Sequence, residues 1–366
     1  MAAGRNAPGL HAAPLRFGVL GAGRIGARHA RNLAGAIDGA SLAQVYDADA
    51  AAAQAAAARH GATVASSAQA LLASSEIDAV LIATPTPLHA EQIEAAADAG
   101  KAIFCEKPVA LGAADTVRAM RRVREAGVPF QIGLNRRYDP HFGALAAAVH
   151  AGRIGRPEMF RSLSSDPAPP PAAYLAVSGG LYRDSAIHDL DLARHVMGEV
   201  SAISVTAAVL VDPVFAEHDD VDTSVLTLAF ASGAIGVIQN SRRTVHGHEV
   251  RVEVLGERGK LTAEDARPSK VWHADANGIH GNFARDFLER FRDAYRLELQ
   301  AFVDAVREQR PPSPGPDDAE ASLALALTAD RARRSGRSEP VRELTAWAEL
   351  EAGDDDAAPN SGEERR

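Results

Sequence analysis

Near its amino terminus the chain runs through a short apolar segment, Leu15–Leu20 (LRFGVL), directly into Gly21-Ala22-Gly23-Arg24-Ile25-Gly26. A helical stretch follows from about Arg24 to Ala34. A buried strand, a glycine turn of the form GxGxxG and a helix, in that order, specify the start of a dinucleotide-binding fold. The first glycine permits the tight turn, and the second lets backbone approach a pyrophosphate. The third allows close packing of helix on strand, while the helix N-terminus favours phosphate charge. Asp47 lies 21 residues beyond Gly26, at the end of the next strand-like run, Ser41–Asp47. An acid at that place accepts hydrogen bonds from a ribose 2′-hydroxyl and repels a 2′-phosphate. No arginine follows it closely (Asp47-Ala48-Asp49-Ala50), which favours NAD over NADP. The competing role for Asp47 is to cap the helix beginning near Asp49.

Strand signals recur at Ala79–Ala83, Ala102–Cys105 and Phe130–Leu134, with helical stretches between them. Strands alternating with helices of this length indicate a doubly wound parallel sheet. After about Asn135 the rhythm changes. A helix (His141–Ala151) precedes the strand-like EMFRSLSSD and the proline-rich DPAPPPAAY, Asp166–Tyr174, expected to be irregular throughout. A helix carrying Asp184 and His188 comes next. Four strand-like runs in direct succession then imply a mostly antiparallel sheet. Two amphipathic helices, about Arg285–Arg307 and Asp317–Ser335, close this part. The fold class expected is α/β, with a nucleotide-binding Rossmann domain over 14–135 and a substrate-binding and oligomerisation domain over 136–350. Residues 1–13 show no periodicity, and 351–366 are polar and charged; both are expected to be disordered.

Composition narrows the partners. A chain of 366 residues suits two domains. A formal charge of −9 argues against nucleic acid. There is no apolar run of about 18 residues and no signal-peptide pattern, so no membrane association is expected. The single Cys105 cannot form an intramolecular disulfide and fits a reducing cytoplasm; it reads as a small buried strand residue. The histidines make no metal-binding spacing with cysteines, so no metal is expected and a zinc-dependent dehydrogenase is disfavoured. His29 and His89 are among several scattered singly, expected to be structural or exposed.

Three further residues bear on chemistry. Only Lys101, Lys107, Lys260 and Lys270 are lysines among the 39 basic residues, and Lys107 stands in CEKP just past a strand. Open α/β sheets bind ligands at the carboxyl ends of their strands, and Pro108 restrains the residue before it. The alternative is a surface lysine in a loop. Asp184 and His188 are four residues apart and can reach the same side of a helix. The alternatives are an exposed charge pair or an N-cap at Asp184. An imidazole at His188 could accept an alcohol proton near neutral pH, oriented and stabilised by an adjacent carboxylate. Asp189 and Asp191 are expected to serve packing or capping.

Taken together, GVLGAGRIGARHA, VYDAD, ATPTPLH, CEKP, GLNRRYDP and GGLYRDSAIHDLDLAR resemble the Gfo/Idh/MocA oxidoreductase family, and the likeness runs from Leu15 to about Leu344. SSDPAPPPAAYLAVSGG and FLERFRDAYRLELQAFVDAV resemble the inositol 2-dehydrogenase branch in particular. The resemblance implies Lys107, Asp184 and His188 as the catalytic group, with cofactor contacts at Gly21, Gly23, Arg24, Ile25, Gly26, Asp47, Thr84 and Glu106. It implies a polyol substrate near Arg136, Asp166 and His248, and pairing of the large sheets into homodimers or homotetramers. For Arg136 and Asp166 the alternative is an interdomain salt bridge. One departure stands out: in VHGHEV, His246 and His248 occupy places where that branch usually has tyrosines, which puts the choice of isomer in question. The expected reaction is NAD-dependent oxidation of a cyclitol, foremost myo-inositol. An aldose or other polyol dehydrogenase is the alternative, and a non-catalytic NAD-binding sensor a remote one.

Overall fold

The computed structural model describes residues 13–356, apart from 265–267 and 270. The lead-in before residue 13 and the end of the tail, 357–366, lie outside the described residues. The first half alternates strand and helix: β1 (Leu15–Leu20), α1 (Arg24–Leu33), β2 (Ala40–Tyr46), α2 (Ala50–His60), β3 (Thr63–Val64), α3 (Ala68–Ala73), β4 (Ala79–Ile82), α4 (His89–Asp98), β5 (Ala102–Glu106), α5 (Ala113–Ala126) and β6 (Phe130–Gly133). These strands pair in parallel in the order β3-β2-β1-β4-β5-β6. The order reverses between β1 and β4, and open α/β sheets bind their ligands outside the carboxyl ends of the strands at such a point. β4 and β5 are buried at every position, as expected for a sheet covered on both faces.

The second half begins with α6 (Pro140–His150), β7 (Pro157–Ser165), α7 (Ala172–Ser178), a π-helical turn (Tyr182–Ala186) and α8 (Ile187–Met197). There follow β8 (Val200–Ala208), α9 (Val214–Glu217), β9 (Thr223–Phe230), β10 (Ile235–Ser241), β11 (Glu249–Gly256) and β12 (Gly259–Ala263). A small hairpin, β13 (His273–Asp275) with β14 (Gly278–His280), leads to α10 (Phe287–Arg290), α11 (Arg292–Arg307), α12 (Pro316–Ser335), β15 (Glu339–Pro340) and α13 (Leu344–Asp356). Seven strands form one sheet in the order β12-β11-β7-β10-β9-β8-β15. Its pairs are antiparallel except β7 with β10. In β9, Ser224, Leu226, Leu228 and Phe230 face the helices while Val225, Thr227 and Ala229 face outward, the period of two that one covered face requires.

The helices of the second half also cover the first sheet. Leu299, Phe302 and Val303 of α11 pack among Phe17, Val19, Leu81 and Phe104. Ala319 of α12 joins the opposite face, with Leu20, Val80 and Cys105. The two halves thus share cores across the expected boundary at 135.

Two stretches differ from the sequence reading. The proline-rich segment is irregular only to Pro171, because the two alanines after the last proline, Ala172 and Ala173, start α7 and take Tyr174 into it. The tail expected from 351 is helical to Asp356. Leu344 and Trp347, one turn apart, sit on Leu323 and Leu327, and Glu351 accepts from the Ala113 and Ala114 amides at 2.9 and 3.0 Å. That carboxylate satisfies amides at the N-terminus of α5, where negative charge is favoured; the acidic run after it hides the anchor from a compositional reading.

Candidate active site

The glycine turn follows β1 and meets the end of β4. Gly21 has φ +93°, and a Cβ there would lie 2.5 Å from the Ala83 carbonyl oxygen; one at Gly26 would lie 1.9 Å from the Gly21 oxygen. Neither position admits a side chain. Gly23, by contrast, faces open space. It precedes α1, whose N-terminus has no side-chain cap and no acid in its first turn. Free amides facing an open volume are what a pyrophosphate needs. Asp47 accepts from the Ala22 amide at 2.6 Å and the Asp49 amide at 2.8 Å. Asp49, not Asp47, caps α2, so the capping alternative for Asp47 fails. These residues fit a dinucleotide. Arg24 lies over the Phe287 ring, 5.6 Å from its centroid, and Ile25 packs on the core of the second half. The cofactor turn is thereby tied to both halves.

His89 bridges two strand ends. Its ring nitrogens lie 2.8 Å from the Pro108 oxygen and 2.7 Å from the Thr84 oxygen. The Thr84 hydroxyl is spent on Gln92 at 2.7 Å. Glu106 turns its carboxylate inward, 2.7 Å from His29 Nε2, and not toward the crevice.

Lys107 projects from the end of β5 to the start of α8. Its Nζ donates to the Asp184 carbonyl and lies 3.3 Å from Asp184 Oδ1. Asp184 sits in the π-helical turn, and the cap of α8 is Ala186; both alternatives for Asp184, exposed pair and N-cap, are thus absent. Its carboxylate also accepts from Tyr174 Oη at 2.9 Å and Arg242 Nη2 at 2.8 Å. Burial alone would raise this carboxyl, but Lys107, Arg242 and the Tyr174 hydrogen bond hold it well below the usual carboxylate range.

His188, one turn on, has no hydrogen bond to Asp184 among the described residues, and its Nδ1 is without a partner. Burial, then the charges of Lys107 and Arg136, push the imidazole well below its ordinary value, with Asp184 opposing. Burial thus favours the neutral ring.

Opposite stands Arg242, 3 % exposed, which joins Asp184 to Asp166 through Nη1 at 3.0 Å. His248 is equally buried; among the described residues neither ring nitrogen has a hydrogen-bond partner, and Nδ1 lies 3.6 Å from Asp166. Burial, with Arg136 and Arg290, lowers it to about 3. His246 points away and pairs with Glu249 at 3.0 Å. Arg136 is engaged with Asp189 at 2.5 Å and Ser164 at 2.8 Å; Ser162 and Asn240 complete the Asp189 site. Asp191 similarly pairs with Arg137. Asp189 and Asp191 are therefore buried ion-pair partners rather than caps.

The structure thus gathers Lys107, Asp184, His188, Asp166 and His248 around one crevice, with Arg136 behind it. Sequence reading missed Tyr174 and Arg242. Arg242 follows β10 directly as Lys107 follows β5, but nothing local says that its partners lie 58 and 76 residues away.

Two family models match the chain. One, described as oxidoreductase family, NAD-binding Rossmann fold, covers residues 15–134, and the other, the GFO/IDH/MocA C-terminal domain, covers 142–262. The chain is 42% identical over 319 residues to the inositol 2-dehydrogenase of Rhizobium meliloti, covering 87% of this chain and 96% of that protein. It is 36% identical to the scyllo-inositol 2-dehydrogenase (NAD(+)) of Bacillus subtilis, covering 88% and 95%. Among solved structures, the myo-inositol dehydrogenase of Lactobacillus casei in complex with NAD(H) and myo-inositol superposes with a TM-score of 0.81 at 26% identity, over 90% and 97% of the two chains.

Proposed function

The chain belongs to the Gfo/Idh/MocA oxidoreductase family, and from that premise we propose that it is an NAD-dependent dehydrogenase of a cyclitol secondary alcohol, with myo-inositol the leading substrate and 2-keto-myo-inositol its product. The observation that carries this reading is the contact of Lys107 with Asp184 past the carboxyl end of β5, with His188 within electrostatic reach of both. Relatives that act on inositols support the substrate.

NAD, held by Gly21, Gly23, Arg24, Ile25, Gly26 and Asp47, with only the backbone of the strand ends at Thr84 and Glu106 beside it, supplies the acceptor for the hydrogen that leaves the carbinol carbon with its electron pair. The chain's own residues handle the proton and the charge. His188, neutral through burial, takes the hydroxyl proton. Lys107 donates from Nζ to the same oxygen and stabilises the negative charge that develops there. Asp184 fixes Lys107 through two contacts. Its charge also favours the imidazolium that forms at His188. Arg242 and Tyr174 hold Asp184 in turn. Substrate hydroxyls meet Asp166 and the unpartnered nitrogens of His248, two groups able to exchange several hydrogen bonds. Arg136, its terminal nitrogens engaged, has Nε left to offer.

A second reading within the same chemistry, oxidation of another inositol isomer or an aldose, is favoured by His248: an imidazole is shorter than a tyrosine and leaves different hydroxyls within reach. Assembly through the outer face of the large sheet, as a homodimer or homotetramer, is supported by Val225, Ile235 and Leu255 standing exposed on it. Cys105, buried and with its thiol raised by burial, fits a cytoplasmic enzyme. Among the described residues no helix is long and apolar enough to cross a membrane.

The test is the absorbance of reduced nicotinamide with NAD or NADP and a panel of inositol isomers and aldoses. Reduction of NAD with myo-inositol supports the reading. Activity confined to another isomer or an aldose moves the substrate and implicates His248. Binding of NAD with no turnover on any polyol favours a sensor.

A further inference from the structure

Directly behind Lys107 lies a group of titratable side chains that this reaction does not use. Glu106 closes β5 and lies 2.7 Å from His29 Nε2. His29, on α1, is fully buried, edge-on to the rings of Phe104 and Tyr295. Glu298 reaches the same point from α11 with no exposure, and among the described residues neither of its carboxyl oxygens has a hydrogen-bond partner. The ligating atoms of His29, Glu106 and Glu298 all lie within 4.8 Å of one another. The surrounding backbone is fitted to them. A Cβ at Gly133 of β6 would come 3.0 Å from Glu106 Oε2, and Gln131 donates to the Glu298 carbonyl at 3.1 Å.

Two carboxylates this close in a dry pocket cannot both carry charge unless a cation neutralises them. Among the described residues neither is ion-paired with a lysine or arginine, and the one imidazole in reach, His29, lies against Glu106 and could offset only one of the two charges. The titratable groups facing Glu298 are His29 from α1, Glu106 from β5, Tyr138 after β6 and Tyr295 on its own helix. Burial first, and then the Glu106 charge, push the Glu298 carboxyl well above its ordinary range.

We propose that Glu298 is a positioning residue for Lys107: as a neutral carboxylic acid it donates its proton to Glu106, and the chain Glu298–Glu106–His29 locks the end of β5 between α11 and the helix that opens at the glycine turn. This rests on the reading of Lys107 as the residue that meets the reacting oxygen. Lys107 is the residue next to Glu106, so any loosening of Glu106 moves the lysine backbone. A hydrogen-bonded chain is directional where an apolar contact is not, and it fixes one register of strand against helix.

The amide of E298Q can donate as the acid does and has nearly its shape. E298Q is therefore expected to keep kcat within about twofold, whereas E298A leaves a buried carboxylate without its donor and lowers kcat about tenfold to a hundredfold, with KM for NAD little changed. Independently of activity, the infrared difference spectrum of wild type minus E298Q at neutral pH should show the carbonyl band of a protonated acid, shifting in heavy water. Several results overturn the proposal. One is E298Q being as impaired as E298A, and another is a carboxylate band alone. A third is a lowered unfolding midpoint in E298A with unchanged kinetics. A stoichiometric divalent metal in the purified wild type, missing from E298Q, would put a cation where the proton is placed here. If E298A does not fold, the infrared band and the E298Q kinetics decide. If wild type reduces no NAD with any polyol, the dehydrogenase reading fails while the infrared result still stands or falls by itself.

Discussion

Replacing Asp184 by asparagine keeps the shape of the side chain and removes its charge. Tyr174 still has an oxygen to donate to, but Lys107 and Arg242 lose their charged acceptor. The consequence for His188 follows from distance. Residues four apart on a helix are about 6 Å apart at Cβ, and unit charges at that separation attract by about 3 kcal/mol at an effective dielectric of about 20. Loss of that attraction disfavours the imidazolium formed as the proton arrives, so kcat in D184N should fall about a hundredfold. The pH profile carries a second signature. Asp184 raises His188 against burial, Lys107 and Arg136; without it the imidazole drops further, and the acid limb of kcat/KM moves to lower pH. Steady-state NADH formation from about pH 5 to pH 9 measures both. An acid limb that stays in place, with the loss appearing only in KM for NAD, would refute the reasoning.

Removing Asp47 deletes a carboxylate that contacts the cofactor turn; D47A should raise KM for NAD by about tenfold to a hundredfold and narrow the preference over NADP, read as the ratio of kcat/KM values. His248, held at about 3 in the fold against an ordinary 6.5, is protonated first in the unfolded chain as pH falls. Its burial therefore stabilises the fold fully above about pH 6.5, and that contribution is lost toward pH 3; urea midpoints of H248N should fall less steeply with acidification than those of wild type. Glu351 should act on stability alone: E351A leaves the amides of α5 uncapped and lowers the melting midpoint by about 2 °C, with kcat unchanged.

Local chemistry was legible in the chain. The glycine turn needs specific residues at adjacent positions, and Asp47 follows at a distance set by one helix and one strand. Lys107, Asp184 and His188 could be named because each sits in a short motif, yet their meeting spans 77 residues and followed from resemblance. What stayed hidden depends on partners far apart in sequence. Arg242 reads as the polar end of a strand until Asp184 and Asp166 are seen against it. His29 passed as a scattered histidine, since its partners come from β5 and α11. The order of four strand-like runs implied antiparallel pairing but could not show that β7, which precedes α8, inserts beside β10 in parallel. Nor does a linear division reveal that α11 fills one face of the first sheet, because its apolar stripe looks the same whichever sheet it covers.

The division of labour between cofactor turn and proton-transfer residues is tested most directly by K107A and H188A, assayed for NADH formation with myo-inositol and titrated with NAD by protein fluorescence. Both variants should bind NAD with an affinity close to that of wild type and form no measurable NADH. Turnover persisting in either variant, or loss of NAD binding in step with loss of turnover, would contradict the assignment of Lys107 and His188 to the reacting oxygen.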